Sequence, residues 1–169
     1  MKKNKLFGLA IVTTIASFTA CSNDTEEMFL QENVIKLTSE ITPSRVTSLN
    51  YQSTQIVEGE QVGVTIIGAK SEHNNVAWSV GETGQLTNTG ETVYYGNGTA
   101  TITAYHPYNS TWTGTNHAFS VNTEQNTNEG YLASDLLWTT KTVTKTESPV
   151  ALTFTHKLAK VTVTLTSED

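Results

Sequence analysis

The sequence predicts an all-β protein built as an antiparallel β-sandwich, on three observations. Short runs that alternate apolar and polar residues recur along the chain, turn sequences rich in glycine and asparagine separate them, and no convincing 3.6-residue apolar period occurs beyond the N-terminus. Threonine, asparagine and glycine are abundant and only 15% of residues are charged. That composition suits pleated, half-buried surfaces and tight turns.

The chain opens with a separate element. Lys2, Lys3 and Lys5 precede an apolar run from Leu6 to Phe18, and the small residues Thr19 and Ala20 lead to Cys21. The run is too short to span a bilayer as a mature helix, so residues 1–20 read as a secretion signal. A cysteine directly after a small residue at that boundary resembles a bacterial lipobox. Cys21 is the only cysteine, so it has no internal disulfide partner, and thioether lipidation accounts for a lone thiol in an exported chain. Acyl chains there, palmitate among them, would anchor the protein stably to the outer membrane. Residues 21–33 form an acidic tether containing Asp24, Glu26 and Glu27. Similar acidic stretches accompany display on the cell's outer surface in some Gram-negative lipoproteins. Without residues 1–20 the chain holds seven basic and sixteen acidic residues, near −9. Nucleic acid and anionic lipid are repelled by such a surface and are excluded as partners.

The remaining residues, 34–169, are enough for one domain. In "VIKLTSEI" (34–41), Ile35, Leu37 and Ile41 share one face. "QVGVTII" (61–67) alternates through Val62, Val64 and Ile66, and "TATITAY" (99–105) through Ala100, Ile102 and Ala104. Val150, Leu152 and Phe154 share one parity whereas Val161, Val163 and Leu165 share the other, so the phase slips within "HKLAK" (156–160). "GETG", "NTGE", "GNG" and "NTNEG" read as turns, and "YLASDLLW" (131–138) as one or two helical turns.

No catalytic or metal constellation emerges. His73, His106, His117 and His156 form no HxH or HExxH pair, no second cysteine exists, and the aspartates are too few for an EF-hand. GxSxG, P-loop and GxGxxG motifs are missing from the sequence. His156, within an alternating run, reads as a hydrogen-bonded structural residue. The expectation is therefore a non-enzyme with no catalytic residue, no cofactor and no metal. Tyr94, Tyr95, Tyr105, Tyr108 and Trp112 admit two uses. Packing of strands and turns is the ordinary one; a sugar-stacking platform on a glycan-binding surface lipoprotein is the alternative. The stretch from Trp78 to Ala104 also admits an Ig-like adhesin repeat, confined to about residues 50–122 and independent of 130–169.

Three segments, in order, carry a family resemblance. "EGEQVGVTI" (58–66) resembles an acidic, Gly-containing turn entering a G-V strand. "GTATITAYHPYN" (98–109) resembles a strand and turn with an A-Y-x-P-Y element. "GYLASDLLWTT" (130–140) followed by "SPVALTFTHKLAKVTVTL" (148–165) is similar to an SDLL segment preceding an F-x-H-x-L-x-K-V strand. Together, behind a lipobox, they resemble the fimbrillin family, the subunits of type V pili of certain Gram-negative bacteria. The resemblance implies a transthyretin-like N-terminal β-sandwich and assembly with other pilus subunits by strand addition, in support of adhesion. Family members usually carry a second sandwich domain used in polymerisation. This chain stops at "TSED", where the first would finish, so the second is expected to be absent, in a truncated product or in a shortened subunit that cannot donate a strand.

The resemblance also gives a reading of the only arginine, Arg45. In the family, lipoprotein precursors are cut after an arginine by an Arg-specific, trypsin-like protease. Cutting frees the first strand and opens a groove that a neighbour's strand fills. Arg45 follows the 34–41 run in a Pro-containing connection and precedes Val46, which permits cleavage. The implied displaceable strand is the one bearing Ile35, Leu37 and Ile41.

Overall fold

The computed structural model of the chain describes residues 33–42, 55–113, 117–159 and 166. Seven strands and one helical turn follow in order: β1 (Leu37–Ile41), β2 (Gln61–Ile67), β3 (His73–Val80), β4 (Gln85–Asn88), β5 (Ala100–His106), α1 (Asn128–Leu132), β6 (Leu137–Val143) and β7 (Val150–His156). They close into a ring in the order β1-β4-β3-β2-β5-β6-β7. The all-β class therefore stands, but the architecture is a closed barrel, not an open pair of sheets. It is also not wholly antiparallel: β1 and β7 run parallel, in register from Leu37 opposite Val150 to Ile41 opposite Phe154.

The ring is uneven. From β4 through β3, β2 and β5 to β6 it is an antiparallel meander-like sheet, with seven register pairs between β5 and β6. The β1–β7 ribbon joins this sheet by two short seams, Leu37–Leu86 and Thr38–Gln85 on one side, Leu137–His156 and Trp138–Thr155 on the other. Beyond its seam β6 leaves β7, and the Lys141 ammonium bridges the gap by donating to the Ala151 carbonyl at 2.8 Å.

Period-2 alternation delivers the core. Val62, Val64, Ala100, Ile102, Ala104, Leu137, Leu152 and Phe154 are all fully enclosed. The small Ala100 and Ala104 on β5 share this interior with the larger Leu137, Leu152 and Phe154. The Ig-like alternative fails here, because β1 pairs with β4 and β6 with β5, joining the first and last strands to the middle ones in one ring.

Several elements differ from expectation for local reasons. β1 begins at Leu37; ahead of it, Val34 makes a single bridge to Tyr94. β3 begins with a register shift opposite Val64 and Ile66, where Asn75 adopts φ 47 and donates its backbone N–H to the Thr65 hydroxyl at 2.9 Å. Asparagine tolerates that left-handed conformation better than most residues. "NTNEG" is not a turn but a helix start: Thr127 caps α1, accepting from the Gly130 N–H at 3.1 Å. A side chain at Gly130 would collide with the Glu124 carbonyl. The helix ends at Leu132, and Leu137 and Trp138, expected to be helical, belong to β6. The run containing Val161, Val163 and Leu165, with its phase slip, lies outside the described residues, apart from the start of "HKLAK".

Aromatic rings cover the outside of β2 and β5. Tyr105 faces outward opposite Gly63 and lies over it; a Cβ at Gly63 would strike the ring's Cε1, Cζ and hydroxyl. Tyr105 stacks on Trp112 with centroids 4.5 Å apart, and Trp112 stacks on His117 at 4.5 Å. The Tyr105 hydroxyl donates to Asn75 Oδ1 at 2.6 Å, while the Asn75 amide donates to the carbonyls of Asn109 and Trp112. Because the ring is pinned at both ends, it has no room to yield. Gly63→Ala is expected to cost about 1–3 kcal/mol of stability by forcing Tyr105 off the sheet, measured by urea unfolding followed through tryptophan fluorescence.

Candidate functional site

The residues singled out around the first strand divide between the described and undescribed parts. Cys21, Arg45 and Val46 lie outside the described residues; Arg45 follows Thr42, where the described segment ends, by three positions. Ile35, Leu37 and Ile41 are described, and each is at least 96% buried. Burial of three such side chains stabilises by about 5–9 kcal/mol. A whole domain is typically stable by about 5–15 kcal/mol, so the first strand carries a large share.

Backbone pairing holds this segment along both edges. On one side Ile35 donates to Val93 at 2.8 Å, Tyr95 donates to Asn33 at 2.7 Å, and Ser39 donates to Gly84 at 2.7 Å. On the other, Val150 donates to Lys36 at 2.8 Å and Thr42 to Phe154 at 2.9 Å. Outside the ring, the Thr153 hydroxyl donates to Glu40 Oε1 at 2.6 Å.

Ser39 was not singled out in the sequence, although it shares the inward parity of Leu37 and Ile41. It is buried, and its hydroxyl donates to the Gly84 carbonyl at 3.0 Å, which satisfies the polar group inside the wall. Gly84 sits at φ +74, and a Cβ there would lie 2.6 Å from the Ser39 carbonyl oxygen. The glycine of "GETG" thus lets the β3–β4 turn press against β1.

Next to this contact the wall parts. After its two pairs with β1, β4 swings away through residues 89–92 until Val93 returns to meet Ile35. A cavity of about 410 Å³ opens between them, lined by Ile35, Leu37, Trp78, Leu86 and Val93. Its floor is fixed by a buried hydrogen bond in which the Trp78 indole N–H donates to His73 Nε2 at 3.0 Å. Burial pushes the His73 pKa below its ordinary value. Protonation would also replace the acceptor with a second donor.

The other sequence-predicted residues are structural where described. His156 Nδ1 lies 2.7 Å from Asp135 Oδ1, tying the end of β7 to the start of β6. Ser134 donates to the Gly130 carbonyl and accepts from the Asn122 N–H, each at 2.8 Å. His106 is fully enclosed, 3.4 Å from Glu60, and this hydrogen bond holds the Glu60 pKa below the usual carboxylate range. Tyr95, Tyr105 and Trp112 are buried, and Tyr94 and Tyr108 are half-buried, so these rings pack within the protein and do not form an open platform. Among the described residues no group of three or more His, Cys, Asp or Glu side chains could hold a metal ion, and no helix is long and apolar enough to cross a membrane.

Comparison with known proteins follows the same lines. The family model described as fimbrillin-like matches residues 44–169. A candidate cell adhesion protein from Bacteroides ovatus is similar in fold, with a TM-score of 0.53 and 23% identity over 73% of this chain and 52% of that one. A fimbrial protein from the same organism has a TM-score of 0.53 and 19% identity, over 73% of this chain and 28% of that one. A candidate cell adhesion protein from Bacteroides uniformis has a TM-score of 0.50 and 22% identity, over 73% and 47%. The chain thus spans between 28% and 52% of the length of these proteins. No curated protein matches it.

Two outcomes are expected. Leu37→Ala should lower stability by about 2–5 kcal/mol in urea unfolding, as for other fully buried leucines. For His73, a folded pKa below the unfolded value near 6.5 means full stability above that pH and loss as the pH falls towards the folded value. The urea midpoint should therefore decline between pH 7 and pH 5, before Glu60 contributes its own loss below about 4.5. His73→Phe should flatten the upper part of that decline.

Proposed function

Since the chain belongs to the fimbrillin-like family, we propose that it is a structural subunit of a cell-surface fimbrium, assembled through replacement of its first strand. In this reading the ring is the transthyretin-like N-terminal module of the family. Residues 1–20 direct export, Cys21 carries the lipid, palmitate included, and the precursor sits on the outer face of the outer membrane. An Arg-specific protease cuts between Arg45 and Val46. The strand bearing Ile35, Leu37 and Ile41 then leaves, and a strand from a neighbouring subunit takes its place. The role is structural, in adhesion, and uses no catalytic residue or cofactor.

One observation supports this reading above the others. β1 is the element through which the ring closes, and it does so with three buried apolar side chains on a segment that leads directly towards the only arginine. Removing it would expose an apolar groove and leave β7 and the β4 side with unpaired backbone groups. An incoming strand with apolar residues at alternate positions would satisfy both, which is the chemistry of β-augmentation. The family match starts at residue 44, so it leaves β1 outside the shared stretch.

Incubating the full precursor with an Arg-specific protease should yield a product whose N-terminus is Val46, and Arg45→Ala should resist. The cut protein, unlike the intact one, should form oligomers on size exclusion with a donor subunit. A chain left intact, or cut only elsewhere, defeats the proposal. Palmitate labelling in the native host should vanish in Cys21→Ser.

A further inference from the structure

Between Tyr95 and the start of β5 at Ala100 the chain makes a short bend whose two ends are fixed. Before it, the Tyr95 N–H donates to the Asn33 carbonyl at 2.7 Å and the Gly96 N–H to the Gly68 carbonyl at 3.1 Å; after it, Ala100 pairs with Val143. The bend itself is open. Asn97, Gly98 and Thr99 are exposed, and neither Asn97 nor Gly98 makes a hydrogen bond among the described residues. A Cβ placed on Gly98 would meet nothing within 4 Å. Asn97–Gly98 is also the only Asn-Gly pair in the sequence. Asparagines in other turns are held. The side-chain oxygens of Asn88, Asn109 and Asn122 accept from the N–H groups of Gly90, Thr111 and Glu124 at 2.8, 2.9 and 3.0 Å. The residues that follow them, Thr89, Ser110 and Thr123, carry side chains that shield the next backbone nitrogen.

We propose that Asn97 is a self-modifying site, at which the asparagine and the Gly98 nitrogen close to a succinimide that water opens to aspartate and isoaspartate. The Gly98 nitrogen loses its proton and attacks Asn97 Cγ. A nitrogen–carbon bond forms, the Cγ–Nδ2 bond breaks, and Nδ2 leaves as ammonia, taking up the displaced proton. Water is the one co-reactant, and nothing is oxidised or reduced. Its addition at Cγ leaves aspartate; its addition at the main-chain carbonyl leaves isoaspartate, whose backbone runs through Cγ and is one methylene longer. Glycine suits the attack because it leaves the nitrogen unshielded and lets the bend rotate to bring it over Cγ. Exposure at a loop tip supplies the water and the freedom to move. Either product adds a negative charge to a chain already at −6, two residues from the Tyr95–Asn33 bond that leads into β1. This inference stands apart from any role in pili, because it needs neither cleavage nor a second subunit.

Incubation of the full, folded chain in mildly alkaline buffer, followed by peptide mapping with mass spectrometry, tests it. The fragment containing Asn97 should gain one mass unit and separate into an aspartate and an isoaspartate form. Its rate should exceed that at Asn88, Asn109 or Asn122 by at least about tenfold. Gly98→Ala is admitted by the open space around Gly98, whose backbone is not left-handed, so the fold should persist while the mass gain slows by about tenfold. No gain at Asn97 in the folded protein, equal rates at the other three asparagines, or an unchanged rate in Gly98→Ala would each overturn the proposal.

Discussion

The parallel ladder between β1 and β7 is the interaction on which the rest of the molecule depends. Without it the strands from β4 to β6 form an open, curled sheet with an apolar inner face and two free edges. β7 supplies Leu152 and Phe154 to the core from one side of the ladder, and β1 supplies Leu37 and Ile41 from the other. Ring closure and core completion are therefore the same event. Inward residues from every strand meet across the interior, so loss of one wall strand exposes the faces of all the others.

The ring is nonetheless not a uniform barrel. Its two seams have two register pairs each, against seven between β5 and β6. At each seam a side chain supplements the sparse ladder: the Ser39 hydroxyl reaches the Gly84 carbonyl on one side, and the Lys141 ammonium reaches the Ala151 carbonyl on the other. The Gly84 carbonyl, which already accepts from the Ser39 N–H, gains a second donor, and the Ala151 carbonyl gains one where β6 and β7 part. A two-layer reading of the sequence and a closed ring in space are reconciled at these seams: the broad sheet and the β1–β7 ribbon are the layers, joined at their corners.

How much was legible in the sequence follows from how each segment is used. β2, β5 and β7 are visible because both their residue types and their parity obey a half-buried strand, from Val62–Val64–Ile66 to Val150–Leu152–Phe154. β3 escaped because its first residues, His73, Asn74 and Asn75, are polar and carry the register shift, while its inward positions are a tryptophan and a valine behind that irregularity. β6 was hidden by "LLW", whose local sequence suits a helix, and by Thr139 and Lys141 at inward parity where the barrel opens. The parallel pairing of β1 with β7 left no local trace, since nothing in either strand encodes direction relative to a partner far along the chain. Around the first strand, the apolar face of Ile35, Leu37 and Ile41 was legible from alternation, whereas the Ser39–Gly84 contact and the cavity exist only once β4 is in place.

One distance along the chain has a further consequence. Glu40 and Thr153, joined across the outside of the β1–β7 ladder, are 113 residues apart. Contacts so remote form last when a chain folds, because the entropy of closing a long loop opposes them until shorter-range structure has reduced it. The meander of β2, β3 and β4 pairs neighbours, β5 adds alongside β2, and this sheet can assemble early, before β7 has been synthesised. The first segment to be made is thus among the last to find its place, arriving at a slot shaped by everything that came after it. A body that acquires its opening strand as a late addition already treats that strand, in kinetic terms, as a ligand.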